Sequence, residues 1–401
     1  MNKDRELIRD RNTTLMNGYR RSNTINGKSL FMLSFYIMIM SMVLNGNEFL
    51  AGLRFVMIPL FFCMGTALIF MPKRMSMNTP IVFSIILCIS AFISTIQSNI
   101  MSWVNILPLV IFNIFYILIV SSRYDENMLK KILKFYSVFV AILCFWMLIA
   151  YIFGVNTVNE RISISYLGIR KDGNYLSAFL VPGYMIWLYS YLFGKKRLWK
   201  FIIAALIFVA IYLTGSRAAF LTMGIVTLLI ISKLIFSRGI TFKKITLTIL
   251  LFITAFTGYY YLQSTVLFDR MITADSYTDN IRLQIWEYAL EGFYNNPWLG
   301  SGIESGTYYA QLHLRWYTHS CFIDILTGQG IVGIALFAVI FIHYMRVKKV
   351  NFIFMTTLII SFFLPLNFVN GYESATFWVP MAICAIVSEY CKINNSINII
   401  N

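Results

Sequence analysis

The sequence predicts an all-α polytopic membrane protein with about twelve transmembrane helices and one long, partly helical outer loop between helices nine and ten. Three observations carry that reading. Hydrophobic residues make up 59% of the 401 positions and charged residues only 12%, against about 25% charged in soluble domains. Apolar runs near the roughly 20 residues needed to cross a bilayer recur along the whole length. The loops between those runs alternate in charge, which is how membrane proteins fix their orientation.

Taken in order, the apolar runs place helices at about 30–46, 50–71, 80–97, 103–120, 132–153, 176–193, 198–214, 218–236, 245–262, 323–345, 350–369 and 374–390. A polar, basic tail of residues 1–29 precedes them, and no small-residue cleavage site follows the first run, so no cleavable signal peptide is expected. "PKR" at Pro72–Arg74, Arg123 with Lys130, Lys131 and Lys134, then "GKKRLWK", "SRGITFKK" and "RVKK" lie on the same side as that tail. The opposite loops at 47–49, 98–102 and 370–373 hold no Lys or Arg. The positive-inside rule then puts both termini, including residues 391–401, in the cytoplasm. It also accounts for the net charge of +16 as topogenic, so no nucleic-acid partner is expected. Lys233, near a helix end, reads as a snorkelling cation, and Arg54 as a residue that either snorkels outward or helps an outer anion site. The six cysteines are scattered without a CxxC pair, which indicates neither zinc nor a redox motif.

Polar chemistry collects on the outer face. Two outer loops are long, 154–175 and 263–322, and Arg217 sits in the tight outer turn "TGSRAAF". With Arg161, Arg170, Lys171, Arg270, Arg282 and Arg315, it makes an outer basic cluster. Nearby Asp and Glu residues supply ordinary ion pairs for several of these, but the Arg217 turn contains no acid. A guanidinium fixed there suits phosphate, which it contacts through two parallel N–H groups. Within the long loop, "DNIRLQIWEYALEGF" reads as a short amphipathic helix capped by Asp279, with Ile281, Ile285, Tyr288 and Ala289 on one face. Arg282 would fall in its first turn, beside free N–H groups that favour anions. The helix ends before Pro297, "PWLGSG" makes a glycine turn, and a less regular stretch carrying His313 leads to "HSCF". His319 there stands where loop meets membrane. An imidazole titrates at about 6.5 and so can take a proton from a hydroxyl group at neutral pH. A helix cap or a bond to a backbone carbonyl is the ordinary alternative for it, and Asp324 and Glu304 are alternative acid/base residues.

"TGSRAAFLTM", then "IRLQIWEYALEGFYNNPWLGSGIESG", then "THSCFIDILTGQGIVGIALF" together resemble the bacterial O-antigen ligase and O-antigen/capsule polymerase (Wzy) superfamily. Arg217, Arg282, Trp286, Pro297, Gly300, Gly302, His319, Gly330 and Gly333 occupy the places of that pattern. "GIRKDGNYLSAFL", with Arg170 and Asn174, resembles the family's first large outer loop. One departure is Ser320, where the family usually has Asn after the His.

The resemblance implies a glycosyltransferase of the C-type membrane class, without metal or other cofactor. Its donor would be an undecaprenyl-diphosphate-linked oligosaccharide, used at the outer face of the bacterial cytoplasmic membrane. Arg217 and Arg282 would hold the diphosphate, His319 would act on the acceptor hydroxyl, and Arg170 and Asn174 would line the glycan or lipid-donor groove. The leading expectation is a polymerase of lipid-linked repeats, working beside a flippase and a chain-length regulator. A ligase onto lipid A–core is the nearest alternative. A transporter of lipid-linked oligosaccharide is the more distant one, and it would predict two related halves that the sequence does not display.

Overall fold

The computed structural model describes residues 27–44, 48–50, 53–73, 78–98, 103–154, 173–236, 276–369 and 371–393, with short strand segments between 157 and 171. The run expected at 245–262 and the first part of the long loop, 263–275, lie outside the described residues.

The elements in order are α1 (Gly27–Ser41) and a 3-10 turn (Met42–Leu44), then the hairpin β1 (Glu48–Leu50) and β2 (Leu53–Arg54). Next come α2 (Met57–Phe70), α3 (Thr79–Gln97), α4 (Trp103–Val120) and α5 (Glu126–Ile152). Two small hairpins follow, β3 (Thr157–Val158) with β4 (Arg161–Ile162), and β5 (Ile164–Tyr166) with β6 (Ile169–Lys171). They lead to α6 (Gly173–Phe193), α7 (Leu198–Leu213) and α8 (Arg217–Phe236). Then come α9 (Ser276–Asn295), α10 (Ser305–Leu314), α11 (Cys321–Met345) and α12 (Lys349–Phe363). A 3-10 turn (Leu364–Phe368) and α13 (Ala375–Ile393) complete the described chain.

Seven of the described segments are long and apolar enough to cross a membrane, and α1, α2, α7 and most of α4 are shorter apolar helices. Large apolar side chains such as Ile69, Ile152, Leu221 and Leu228 stand exposed on them, as lipid-facing surfaces require. α6 and α13 are the opposite case, buried along most of their length, and form the centre of the bundle.

Two helix starts differ from expectation. α2 begins at Met57, not near residue 50, because the chain before it turns into the β1–β2 hairpin, where the backbone of Arg54 stands opposite that of Glu48 in the strand register. Arg54 is therefore a strand residue and does not lie inside helix two. α5 begins six residues early, at Glu126. Asp125 caps it by accepting from Met128 N at 2.8 Å, and Glu126 pairs with Lys130 at 2.5 Å. That first turn is polar, so hydropathy does not register it. Lys233 is not simply reaching for water. It donates to Val350 O at 2.8 Å and lies 5.0 Å from the Phe193 ring.

α11 is broken at Gly330, whose φ of 63° and ψ of −159° are non-helical. In an unbroken helix Ile331 N–H would bond Thr327 O, and Val332 N–H would bond Gly328 O. Here the "PWLGSG" turn intervenes. Ile331 N donates to Pro297 O at 2.9 Å and Val332 N to Trp298 O at 3.1 Å. In return Ser301 N donates to Thr327 O at 2.8 Å and Gly302 N to Gly328 O at 3.1 Å. Two helical bonds are exchanged for four bonds to the turn, so no peptide group at the break is orphaned. α3 closes the other side. Its buried Ser90, Ser94 and Thr95 share one face, and Ser94 Oγ donates to Gly328 O at 2.9 Å. Thr95 Oγ1 accepts from Ile303 N at 3.2 Å. Gln329 donates to Tyr372 OH at 3.0 Å. Burial pushes the Tyr372 hydroxyl well above its ordinary range, so that acceptor stays neutral.

Candidate functional site

The outer loop is more helical than the sequence suggests. α9 starts at Ser276, which makes Asp279 an internal residue and not the cap, and moves Arg282 into the second turn. Free N–H groups belong to the first turn, so the expectation that they assist Arg282 is overturned. The stretch expected to be irregular contains α10, bounded by Glu304 and Arg315 in left-handed conformation. Its polar, glycine-containing sequence hides it. Gly306 is needed because a Cβ there would stand 2.6 Å from Thr327 Oγ1 on α11. The two loop helices pack through Ile285, Ala289 and Ala310, with Ile281, Trp286, Leu314 and Ile323 around them. His313 is a helical residue in this pair, stacked on Tyr288 at 4.1 Å and 3.4 Å from Glu291.

This helical pair positions Arg282. Its guanidinium lies 5.6 Å from the Phe368 ring in the 3-10 turn after α12, and Trp286, one turn along α9, lies 6.4 Å from the same ring. Trp286 Nε1 also donates to Thr318 O at 3.0 Å, which ties the Arg282 helix to the peptide before His319. Arg217 is the first residue of α8, after Gly215 at φ 63° and Ser216. α8 packs on the same 3-10 turn, as does α6, whose first turn carries Asn174. Arg217, and not Arg282, is thus the arginine at a helix N-terminus, where unpaired N–H groups favour anions. Beside it the Ser216 hydroxyl is buried without a hydrogen-bond partner among the described residues. Arg170 lies on β6 opposite Ser165, and its side chain is outside the described residues.

His319 has φ of 50°, and the described non-glycine residues with positive φ are Glu304, Arg315 and His319, all in this loop. Such clustering marks a backbone held in place by its surroundings. Thr318, on one side, is fully buried, and its hydroxyl donates to Asp324. Asp324 also accepts from Gly371 N at 3.4 Å. Ser320, on the other side, caps α11 by accepting from Ile323 N at 3.3 Å. The imidazole between them is half-buried, with the rings of Trp316 and Tyr317 at 6.2 and 6.5 Å. The helix is therefore capped by the serine, not by the histidine. Asp324 is committed to holding the loop through Thr318 and Gly371, a use that Thr318 gives no sign of in the sequence.

The cap also explains the departure at Ser320, since Ser and Asn are near-equal caps. Ser320→Asn is expected to leave thermal stability unchanged, and Ser320→Ala to cost about 1 kcal/mol. A thermal melt in which the two variants matched would remove the cap from the account.

Among the described residues no group of three or more His, Cys, Asp and Glu side chains is placed to hold a metal ion. The crevice below the first turn of α6, between Tyr175, Leu366 and Val369, measures about 30 Å³, room for about one water.

No curated protein matches the chain. Residues 202–338 match the sequence model of the family described as O-antigen ligase. That segment contains Arg217, Arg282 and His319 and leaves out Arg170 and Asn174. It supports a membrane enzyme of the O-antigen ligase or polymerase type with glycosyltransferase-like activity. Over residues 202–338 the chain is thus similar to the O-antigen ligase family, a match that supports the O-antigen ligase and polymerase superfamily.

Proposed function

We propose that the protein is a polysaccharide polymerase acting at the outer face of the bacterial cytoplasmic membrane, with both termini inside. It transfers glycan from an undecaprenyl-diphosphate-linked repeat to the end of another lipid-linked repeat. The carrying observation is the link between Arg282 and His319. Trp286 bonds Thr318 O, while Arg282 and α8, which begins at Arg217, meet the same 3-10 turn. In the reaction the acceptor hydroxyl oxygen bonds to the anomeric carbon, the carbon–oxygen bond to the diphosphate breaks, and undecaprenyl diphosphate leaves. His319 takes the hydroxyl proton. Arg217, Arg282 and the Ser216 hydroxyl hold the charge growing on the diphosphate, the role preorganised donors fill best. Arg170 and Asn174 border the donor groove, and the helical pair of the outer loop, from Ser276 on, covers it. No cofactor enters the scheme.

The family description favours a second reading, an O-antigen ligase that moves finished polysaccharide to lipid A–core. Gene deletion separates the two. Loss of a polymerase leaves single repeats on the final acceptor, whereas loss of a ligase leaves none. An unchanged glycan pattern would eliminate both.

Arg282→Ala and Arg217→Ala are each expected to slow transfer about 100- to 1,000-fold, the range for removing one charge-stabilising donor. Lysine at either place should restore only part, because an ammonium cannot make the paired contact. Transfer from lipid-linked donor in isolated membranes measures this, and rates within threefold of the native enzyme would dismiss the clamp.

A further inference from the structure

We propose that a recess at the opposite end of the bundle binds the headgroup of an anionic phospholipid. It measures about 250 Å³ and is formed where α5 begins, α6 ends and α7 begins. α7 joins that end to the turn before Arg217, so the recess and the proposed active site lie at opposite ends of one helix. Its walls come from two stretches far apart in sequence. Lys131 and Lys134 face it from α5, and Lys195, Arg197 and Lys200 from the α6–α7 connection. No carboxylate is among its lining residues, and Lys130 at its rim already has Glu126 as a partner.

Topogenic charge explains basic residues in a loop. It does not explain why two segments converge on a concave site, or why one cation is buried. Lys200 is only 5% exposed and donates to Ser190 Oγ at 2.7 Å. An ammonium held out of water favours an anion close by. The walls are stiff. Trp187 and Trp199 meet edge to face at 5.2 Å, and Trp187 Nε1 donates to Ser137 O at 2.9 Å.

The surroundings select a lipid as the anion's source. Leu198, Phe201 and Ile202, beside the recess on α7, are 68%, 45% and 55% exposed. They form an apolar strip along which acyl chains can lie while the phosphodiester enters among the cations. The exposed Trp199 indole is a side chain of the kind that favours the membrane–water boundary. Basic pockets between helices on the cytoplasmic side take such headgroups, and the expected orientation puts this end in the cytoplasm.

The test is native mass spectrometry of the full chain released from nanodiscs of phosphatidylglycerol and phosphatidylethanolamine in equal amounts. The native protein should retain phosphatidylglycerol preferentially. Lys131→Gln/Lys134→Gln/Arg197→Gln should reduce that retention about 100-fold, at about fivefold per basic residue near the surface. Lys131→Arg/Lys134→Arg should keep it. Should the triple variant fail to fold, Lys134→Gln alone gives the fivefold arm. Equal retention of both lipids, or a native-like charge-neutral variant, would overturn the proposal. So would displacement of the bound lipid by millimolar inorganic phosphate, which would identify a free anion as the occupant.

Discussion

Replacing His319 with Asn is expected to slow glycan transfer about 100- to 10,000-fold, the range that positioned general bases supply, while the protein still folds and inserts. Asn is the informative substitution because of the backbone. His319 sits at φ of 50°, a conformation that Asn accepts and that costs alanine roughly 1–2 kcal/mol. His319→Ala would mix lost chemistry with a strained loop. The neighbouring contacts survive either change, since Ser320 caps α11 and Thr318 bonds Asp324 and Trp286 without help from the imidazole. A purely structural histidine would lower the yield or stability of the Asn variant but leave the transfer rate of the folded protein near native. A pH profile adds a second readout. A base works in its neutral form, so native activity rises with pH through the imidazole titration, and that limb should vanish from the residual activity of the variant. Transfer within threefold of native, or a variant that keeps the acid limb, would remove His319 from the chemistry.

The seven long apolar helices among the described residues were legible because their cause is local: a long apolar run cannot lie anywhere but in lipid or a buried core. The misread elements have non-local causes. α10 is held by Gly306 against Thr327 and by left-handed residues at both ends, none of which produces a periodic pattern. The extra turn of α9 before Asp279 moved Arg282 away from the helix end and left Arg217 at one. The candidate site residues rest on resemblance, as chemical types in an order. What the sequence could not display is how they are held. Trp286 reads only as a member of the family pattern until its indole is seen on Thr318 O, and Asp324 reads as an alternative acid/base residue until its two donors are seen.

The largest expected effect on folding falls at Gly330. Gly330→Ala should abolish recovery of folded protein or release the "PWLGSG" turn, whereas Gly154→Ala should cost only about 1 kcal/mol. Both glycines have positive φ, 63° and 66°. They differ in what a side chain would meet. At Gly154 an added Cβ finds nothing within 4 Å, but at Gly330 it falls 2.4 Å from Trp298 O and 2.6 Å from Pro297 O. Those atoms cannot swing aside as a side chain would, because both carbonyls accept from the N–H groups of Ile331 and Val332. Making room means expelling the turn, and with it go four backbone bonds. Each is worth about 0.5–1.5 kcal/mol net, and each buried group left unpaired costs about 1–3 kcal/mol. The sum is comparable with the roughly 5–15 kcal/mol that holds a typical domain together. The turn at Gly300 and Gly302 would lose its anchor on α11, and the helical pair it tethers would lose its position over Phe368. Limited proteolysis in detergent is the measurement: cleavage within 296–320 should appear in the Gly330 variant and stay absent in the Gly154 variant. Equal protection in both would mean that the broken helix and the inserted turn do not depend on each other. The glycines that the family pattern places before and after the histidine would then have separate purposes, where the bond exchange gives them one.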